Sequence, residues 1–215
     1  MYQYRKASRE ERRQLLDERR SRAFPLHQTP HRSGENDLYL ITAACFEHHH
    51  YLLDSQRRER FTTNLKLGLA DVGAEMRAWV VLPNHYHLTV HVENLRQLTT
   101  VIGRIHGRSS HDWNEEEHSR GRRIWYRCSD RAIRSDAHFS ATLNYVDFNP
   151  VKHGWVSSPY DWPDSSVHKF RELYGREWLQ ALWMDFPVHD YGKNWDDIDI
   201  HRDRSSSSSA TPAGS

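Results

Sequence analysis

Thiols are nearly absent from this chain. Its two cysteines, Cys45 and Cys128, lie far apart with no CxxC spacing, which argues against a disulfide framework and against a zinc–thiolate centre. Net charge is nearly absent as well. Thirty Lys and Arg stand against 29 Asp and Glu, a formal +1, so the total points to no polyanionic partner. Long apolar runs are missing, and none approaches the roughly 18–20 residues that a membrane helix needs. No membrane partner is expected. The amino-terminal stretch MYQYRKASREERRQ lacks the apolar segment of a signal peptide, which makes a reducing cytoplasm the expected location.

What is present is uneven. Residues 1–24 carry eight Lys or Arg against four acids, 103–134 carries eight Arg against five, and 185–199 is mostly acidic. Local basic patches on a near-neutral protein can still follow a phosphate backbone, although solvated surface explains them equally well. Eight Trp and ten Tyr in so polar a chain either complete a small core or stack on bases. Hydrophobic residues, 37% of the chain, suffice for one folded domain.

Periodicity divides the chain. Residues 5–22 have Arg and Glu at helical spacings and little to bury, and FPLHQTPHRSGEND after them reads as a linker. Leu38 to Phe46 is a strand; Phe61, Leu65, Leu69 and Val72 mark a helix over 54–72. Glu75 to Leu82 is a second strand, Pro83-Asn84 a turn, and His85 to Glu93 an alternating third strand. A helix over 95–117 places Leu98, Val101, Ile102 and Ile105 inward. Arg123–Arg127 and Arg131–Arg134 are short extended pieces, and Ser135 caps a helix over 136–148 that Pro150 and Gly154 close. A further helix is expected near 170–183 in a Trp-rich region, and the tail SSSSSATPAGS reads as disordered. This order implies an α+β, ferredoxin-like split βαβ fold, an antiparallel sheet with helices on one face. The expected divisions are a basic helical extension and linker (1–35), the domain itself (36–170), a carboxy-terminal extension (171–200) and the tail (201–215).

Two constellations bear on chemistry. In His85-Tyr86-His87, side chains at i and i+2 of a strand point to one face, so both imidazoles can reach a common point. They form half of a divalent-metal site, but H-x-H alone does not separate a metal site from an ordinary histidine pair. His91 follows on the same face, and His48-His49-His50 reads as an exposed turn. In ATLNYVDFNPVKHG (141–154), Phe139, Leu143 and Val146 form the helix's core stripe. Tyr145 and Asn149 fall together, more than about 100° from that stripe, with His138 beside them. That phasing argues against a core tyrosine and leaves the pair available to a site. A tyrosine hydroxyl, with a pKa of about 10, attacks a phosphodiester when a divalent cation polarises the phosphate. Asn149, one turn beyond Tyr145, offers the amide oxygen that would complete the metal shell.

WVVLPNHYHLTV (79–90) resembles the HUH motif of single-tyrosine transposases, with Tyr86 in the middle position. LNYVDFNPVKHGWV (143–156), followed by YDWPDSS (160–166), resembles the signature of transposases associated with repetitive extragenic palindromes (REPs). The resemblance covers roughly residues 36–170. It implies a Mg2+ or Mn2+ cofactor held by His85, His87 and Asn149, and Tyr145 as nucleophile. It further implies a nucleoid-associated enzyme, monomeric or homodimeric, that cuts single-stranded hairpin DNA through a 5′-phosphotyrosine. Arg104, Arg108, Arg127, Arg131, Arg134 and Lys152 are candidate DNA contacts, with Gly154 as a positive-φ turn position. The competing expectation is a domesticated binder of hairpin DNA or structured RNA that performs no turnover.

Overall fold

A computed structural model describes residues 37–188, together with 8, 10, 14 and 191. Apart from those isolated positions, the helix expected over 5–22, the linker after it and the 201–215 tail lie outside the described residues, as does most of the acidic 185–199 stretch. Four strands, β1 (Leu38–Ala44), β2 (Glu75–Val81), β3 (His85–His91) and β4 (Ser129–Ala132), form one antiparallel sheet in the order β2-β3-β1-β4. Helix α1 (Ser55–Ala70) joins β1 to β2, and α2 (Leu95–Glu116) joins β3 to β4. This is the expected ferredoxin-like split βαβ unit. The two expected extended pieces resolve into β4 and a single bridge, Cys45 to Trp125. Helix α3 (Asp136–Lys152) and helix α4 (Val167–Asp185), broken at Gly175, follow among the described residues.

Alternation of side chains gives the sheet two buried faces. Tyr39, Ile41 and Ala43 of β1 and Tyr86, Leu88 and Val90 of β3 pack with Phe61, Leu65 and Leu69 of α1 and with Leu98 and Ile102 of α2. Those two helices therefore share one face, as the sequence pattern implies. They approach closely at Gly68, where a Cβ would lie 2.9 Å from Ile105 Cδ1. On the other face Leu40, Ala78 and Val80 meet Leu143 and Val146 of α3 and Trp162, so α3 adds a layer on the opposite side. Caps set the helix starts: Asp54, Asn94 and Ser135 each accept a backbone N–H from three residues on.

The YDWPDSS run seals the edge of the sheet. Val81 N–H donates to the Asp164 carbonyl at 2.9 Å, Trp79 N–H donates to Ser166 Oγ at 3.0 Å, and Trp162 Nε1 donates to the Val81 carbonyl at 3.0 Å. Asp164 in turn receives Arg58 Nε at 2.5 Å, with that guanidinium 4.9 Å from the Trp162 ring. From Trp79 to Val81 the unpaired backbone of edge strand β2 is thus satisfied from within the chain.

Helix α4 docks on α3 through polar anchors. Asn144 Nδ2 donates to the carbonyls of Leu182 (2.9 Å) and Phe186 (2.7 Å), and Trp183 Nε1 donates to Asp147 Oδ2 at 3.2 Å. Burial pushes the Asp147 carboxyl up to about 7, with the Trp183 hydrogen bond opposing the rise. A folded-state pKa above the unfolded one contributes stability that is complete below about pH 4 and is lost as pH rises towards 7. Asp147→Asn is therefore expected to stabilise the protein by up to about 4 kcal/mol at pH 8 and to change little at pH 4. Denaturant melts at the two pH values check this, and equal effects at both would refute it. Among the described residues no helix is long and apolar enough to cross a membrane.

Candidate functional site

The second sheet face carries a polar cluster where β3 begins. His85 and His87 alternate onto this face beneath α3, and both are buried. Each ring is held at Nδ1. Asn84 Oδ1 lies 2.7 Å from His85 Nδ1, and Thr42 Oγ1, on the strand directly opposite, lies 2.8 Å from His87 Nδ1. The Asn84 amide is itself oriented by donating to the His48 carbonyl at 3.4 Å. With Nδ1 of His85 committed as a donor to Asn84, its Nε2 carries a lone pair.

That lone pair meets α3. His85 Nε2 lies 2.9 Å from Asn149 Oδ1, and His87 Nε2 lies 3.3 Å from the Tyr145 hydroxyl. Asn149 belongs to the helix, which runs on to Lys152 with Pro150 in its last turn, four residues beyond the expected end at 148. Only one backbone bond is forfeited by a proline so near the terminus. Tyr145 and Asn149 therefore sit one turn apart on the same helix face, as phasing implies. Gly154 follows with φ +69°, the positive-φ position expected there.

The expectation that Tyr145 lies away from the buried side is corrected. Tyr145 is 1% exposed and Asn149 is fully buried. Phasing separates the pair from the Leu143–Val146 stripe, but α3 is covered on three sides. Leu143 and Val146 meet apolar sheet residues, Tyr145 and Asn149 meet the histidines, and Asn144 and Asp147 meet α4. A helix enclosed in this way has a polar stripe that is also buried.

Two acceptors, His85 Nε2 and Asn149 Oδ1, face each other at hydrogen-bond distance, and Asn149 Nδ2 has no hydrogen-bond partner among the described residues. A divalent cation satisfies such converging lone pairs, so the donor set of two imidazole nitrogens and one amide oxygen fits a metal. It would have to rely on the amide, since no group of three or more His, Cys, Asp or Glu is placed to hold an ion among the described residues. The Tyr145 hydroxyl stands against His87 Nε2, the ring nitrogen that a cation would take.

Around this centre, the His153 ring stands 4.7 Å from that of His85 at 72°, and the Lys152 ammonium lies 5.0 Å from the Tyr145 ring. Tyr191 packs 5.7 Å from the Tyr145 ring; its hydroxyl bonds to Thr142 Oγ1 and lies 2.9 Å from His138 Nε2. Arg131 lies opposite Leu40 in the register, hence on the site face, and its charge reaches Tyr191. Arg134 N–H donates to the His138 ring at 3.3 Å. Arg104, Arg108 and Arg127 belong elsewhere: the first two are exposed on α2 and the third lines a groove beside it. His91 stands about 13 Å along the strand from His87, outside the cluster. Of the expected exposed turn at His48-His49-His50 only His49 is exposed; His48 and His50 are half-buried, and the His48 carbonyl supports Asn84. Sequence reasoning missed Asn84, Thr42 and Tyr191. Only the Thr42–His87 register carried a signal, and that requires knowing the strand pairing.

The family described as Transposase IS200 like matches residues 36–147. The chain is 36% identical over 112 residues to a REP-associated tyrosine transposase of Escherichia coli (strain K12), covering 48% of this chain and 62% of that protein. A Haemophilus influenzae relative of the same designation is 33% identical over 116 residues, covering 48% of this chain and 66% of its own length. The chain thus spans under two thirds of each of these curated relatives. Among solved structures, a REP-associated tyrosine transposase bound to a REP hairpin superposes with a TM-score of 0.54 at 22% identity, covering 66% of this chain and 83% of that one. That likeness is one of fold.

Proposed function

The chain belongs to the IS200-like transposase family, and from that premise we propose that it is a metal-dependent single-strand DNA endonuclease and strand transferase acting on palindromic hairpins. The observation that supports this best is the meeting of four side chains from two elements distant in sequence. His85 and His87 of β3 aim Nε2 at Asn149 and Tyr145 of α3, at 2.9 and 3.3 Å. His85, His87 and Asn149 would hold Mg2+ or Mn2+, and two nitrogen donors suit Mn2+ better than oxygen-seeking Mg2+. The bound ion would supply charge stabilisation to the scissile phosphate.

The remaining chemistry belongs to the chain. Tyr145 Oη attacks phosphorus, forming a Tyr–O–P bond to the 5′-phosphate as the bond to the 3′-oxygen breaks. The tyrosine proton is released, and the 3′-oxygen takes one up. The phosphotyrosine conserves the ester bond, so a later 3′-hydroxyl reverses the chemistry and joins strands. Asn84 and Thr42 fix the imidazoles. Lys152, beside the Tyr145 ring, and Arg131 and Arg134 at the same face supply positive charge to the DNA backbone.

The test uses labelled hairpin DNA from the gene's own flanks. Cleavage with a covalent protein–DNA adduct is expected with Mn2+ or Mg2+ and is abolished by EDTA. His87→Ala is expected to weaken Mn2+ binding, measured calorimetrically, by at least about 100-fold. Cleavage that persists in EDTA would remove the metal from the scheme. Tight hairpin binding with no cleavage under any metal would replace the enzyme with a domesticated DNA or structured-RNA binder.

A further inference from the structure

Helix α4 lies beyond residue 147, where the family match ends. It is fixed to α3 through Asn144 and Asp147, the residues that flank Tyr145. Leu179 is buried, and Phe170 packs against the core of the second sheet face. Another side of α4 is bare among the described residues. Leu173 is 59% exposed, Tyr174 57% and Trp178 40%. A contiguous apolar surface of this kind marks contact with something outside the chain. Three rings there form a column. Phe170, Tyr174 and Trp178 follow at i, i+4 and i+8, and their planes are pairwise inclined by only 19°, 30° and 36°. Phe170 anchors the column on the core, while Tyr174 and Trp178, 4.6 Å apart, end it in solvent. A nucleobase extends such a near-parallel stack whatever its sequence.

Unspent positive charge lies on the same stretch of helix. Elsewhere arginines are paired with acids: Arg57 with Glu116 and Glu117, Arg58 with Asp164, and Arg120 with Glu115. Arg171 and Arg176 are exposed, and their side chains form no ion pair or hydrogen bond among the described residues. Both guanidinium groups stand over the Tyr160 ring instead, at 5.2 and 5.6 Å. The break at Gly175 produces this arrangement. On a continuous helix, residues five apart lie about 140° apart round the axis, and Glu172 would meet Arg176 at i, i+4. Gly175 has φ +85° and ψ 169°, a conformation open in practice only to glycine. The chain turns there, and Arg176 leaves Glu172 for the ring that Arg171 also covers. Glu172 and Glu177 are exposed too, so the attraction for phosphate is local to the two arginines. A protein partner needs only the apolar side chains. Free guanidinium groups beside parallel rings match the alternating phosphates and bases of a single strand.

We infer that this side of α4 binds unpaired DNA, its bases stacking on Tyr174 and Trp178 and its phosphates meeting Arg171 and Arg176. The inference rests on the DNA-acting reading above, under which the strand is the unpaired flank of the hairpin. The test compares, by fluorescence anisotropy, a labelled hairpin that keeps its flanks with the same hairpin trimmed to stem and loop. Wild type is expected to bind the flanked hairpin more tightly. Tyr174→Ser/Trp178→Ser is expected to lower that affinity about tenfold and to leave the trimmed hairpin little affected. Tyr174→Phe/Trp178→Phe keeps the rings and is expected to stay within about twofold of wild type. Arg171→Ala/Arg176→Ala is expected to flatten the slope of log K against log salt by about 1.4, the single-strand value for two phosphates. All four side chains are exposed, so circular dichroism should show the wild-type fold in each variant.

Equal wild-type affinity for the two hairpins, or an unchanged flank preference in the serine variant, overturns the α4 assignment. Cleavage that still depends on Tyr145 in the same samples then leaves the functional reading standing. Wild-type dimers and serine-variant monomers in sedimentation, with DNA affinity equal, give the surface to a second copy of the chain and overturn the assignment as well. Absence of cleavage with the flank preference intact removes the enzymatic reading and keeps the α4 surface.

Discussion

Tyr145→Phe is expected to abolish cleavage and the covalent adduct, lowering the rate by on the order of a thousandfold or more, while leaving the fold in place. The substitution removes one oxygen. The phenyl ring keeps its edge contact with His87 at 5.0 Å, its contact with Tyr191 at 5.7 Å and the Lys152 ammonium at 5.0 Å. Among the described residues the hydroxyl contact to His87 is what disappears, worth about 1 kcal/mol, so Tm should shift by only a few degrees. Gel analysis of labelled hairpin after protease digestion reads the adduct directly. An adduct of undiminished yield on the phenylalanine variant would move the nucleophile elsewhere. Because the hydroxyl stands against the His87 Nε2 that a cation needs, the variant should bind Mn2+ no more weakly than wild type. Loss of turnover with retained metal affinity distinguishes a missing nucleophile from a collapsed site.

Acid is expected to destabilise the protein through His106, on the opposite sheet face. His106 stacks on Trp125 at 4.4 Å and 7°, and its Nε2 lies 2.8 Å from the Tyr86 hydroxyl. Burial lowers its pKa to about 3. The folded protein therefore holds a neutral imidazole where the unfolded chain takes up a proton below pH 6.5. The stability tied to this group is complete above about 6.5 and is lost progressively as pH falls towards 3, at about 1.4 kcal/mol per pH unit. Between pH 6.5 and pH 4 the loss is about 3 kcal/mol, large against the roughly 5–15 kcal/mol of a typical domain. Denaturant titrations of wild type and His106→Gln separate it from the carboxylates: the variant starts less stable, but its acid slope should be shallower by that amount. Parallel slopes would mean that His106 titrates normally. The same pair explains how a tyrosine serves in the middle of an HUH strand, since its buried hydroxyl finds a histidine partner.

Much of the fold was legible because local periodicity and tertiary burial agree in it. β1, β2 and β3 alternate or run apolar, and α1 and α2 carry stripes that do face the sheet. Their ends fall within two residues of the expected ones. α3 was harder to read. Its residues are buried on three sides for three different reasons, so no single apolar stripe describes it, and a polar face was read as an accessible one. Pro150 was taken as a stop, yet near a helix end it removes too little to break the last turn. In the site, the strand pair and the helix pair were visible as same-face spacings, whereas their supports were not. Asn84 looks like any turn asparagine until its amide is seen between His48 and His85. Thr42 acts across a strand register, and Tyr191 comes from 49 residues after Thr142, to which it bonds. Contacts of that range leave no periodic trace.

The recognisable family segment ends at residue 147, but the hydrogen bonds that close β2 come from Trp162, Asp164 and Ser166. The segment that can be recognised and the segment that can stand alone are therefore different lengths of chain. A fragment cut at the family boundary would keep the histidine pair and the tyrosine while losing Asn149. It would also present a raw strand border to any neighbouring chain. The smallest autonomous unit reaches at least Ser166, and an engineered boundary belongs beyond it.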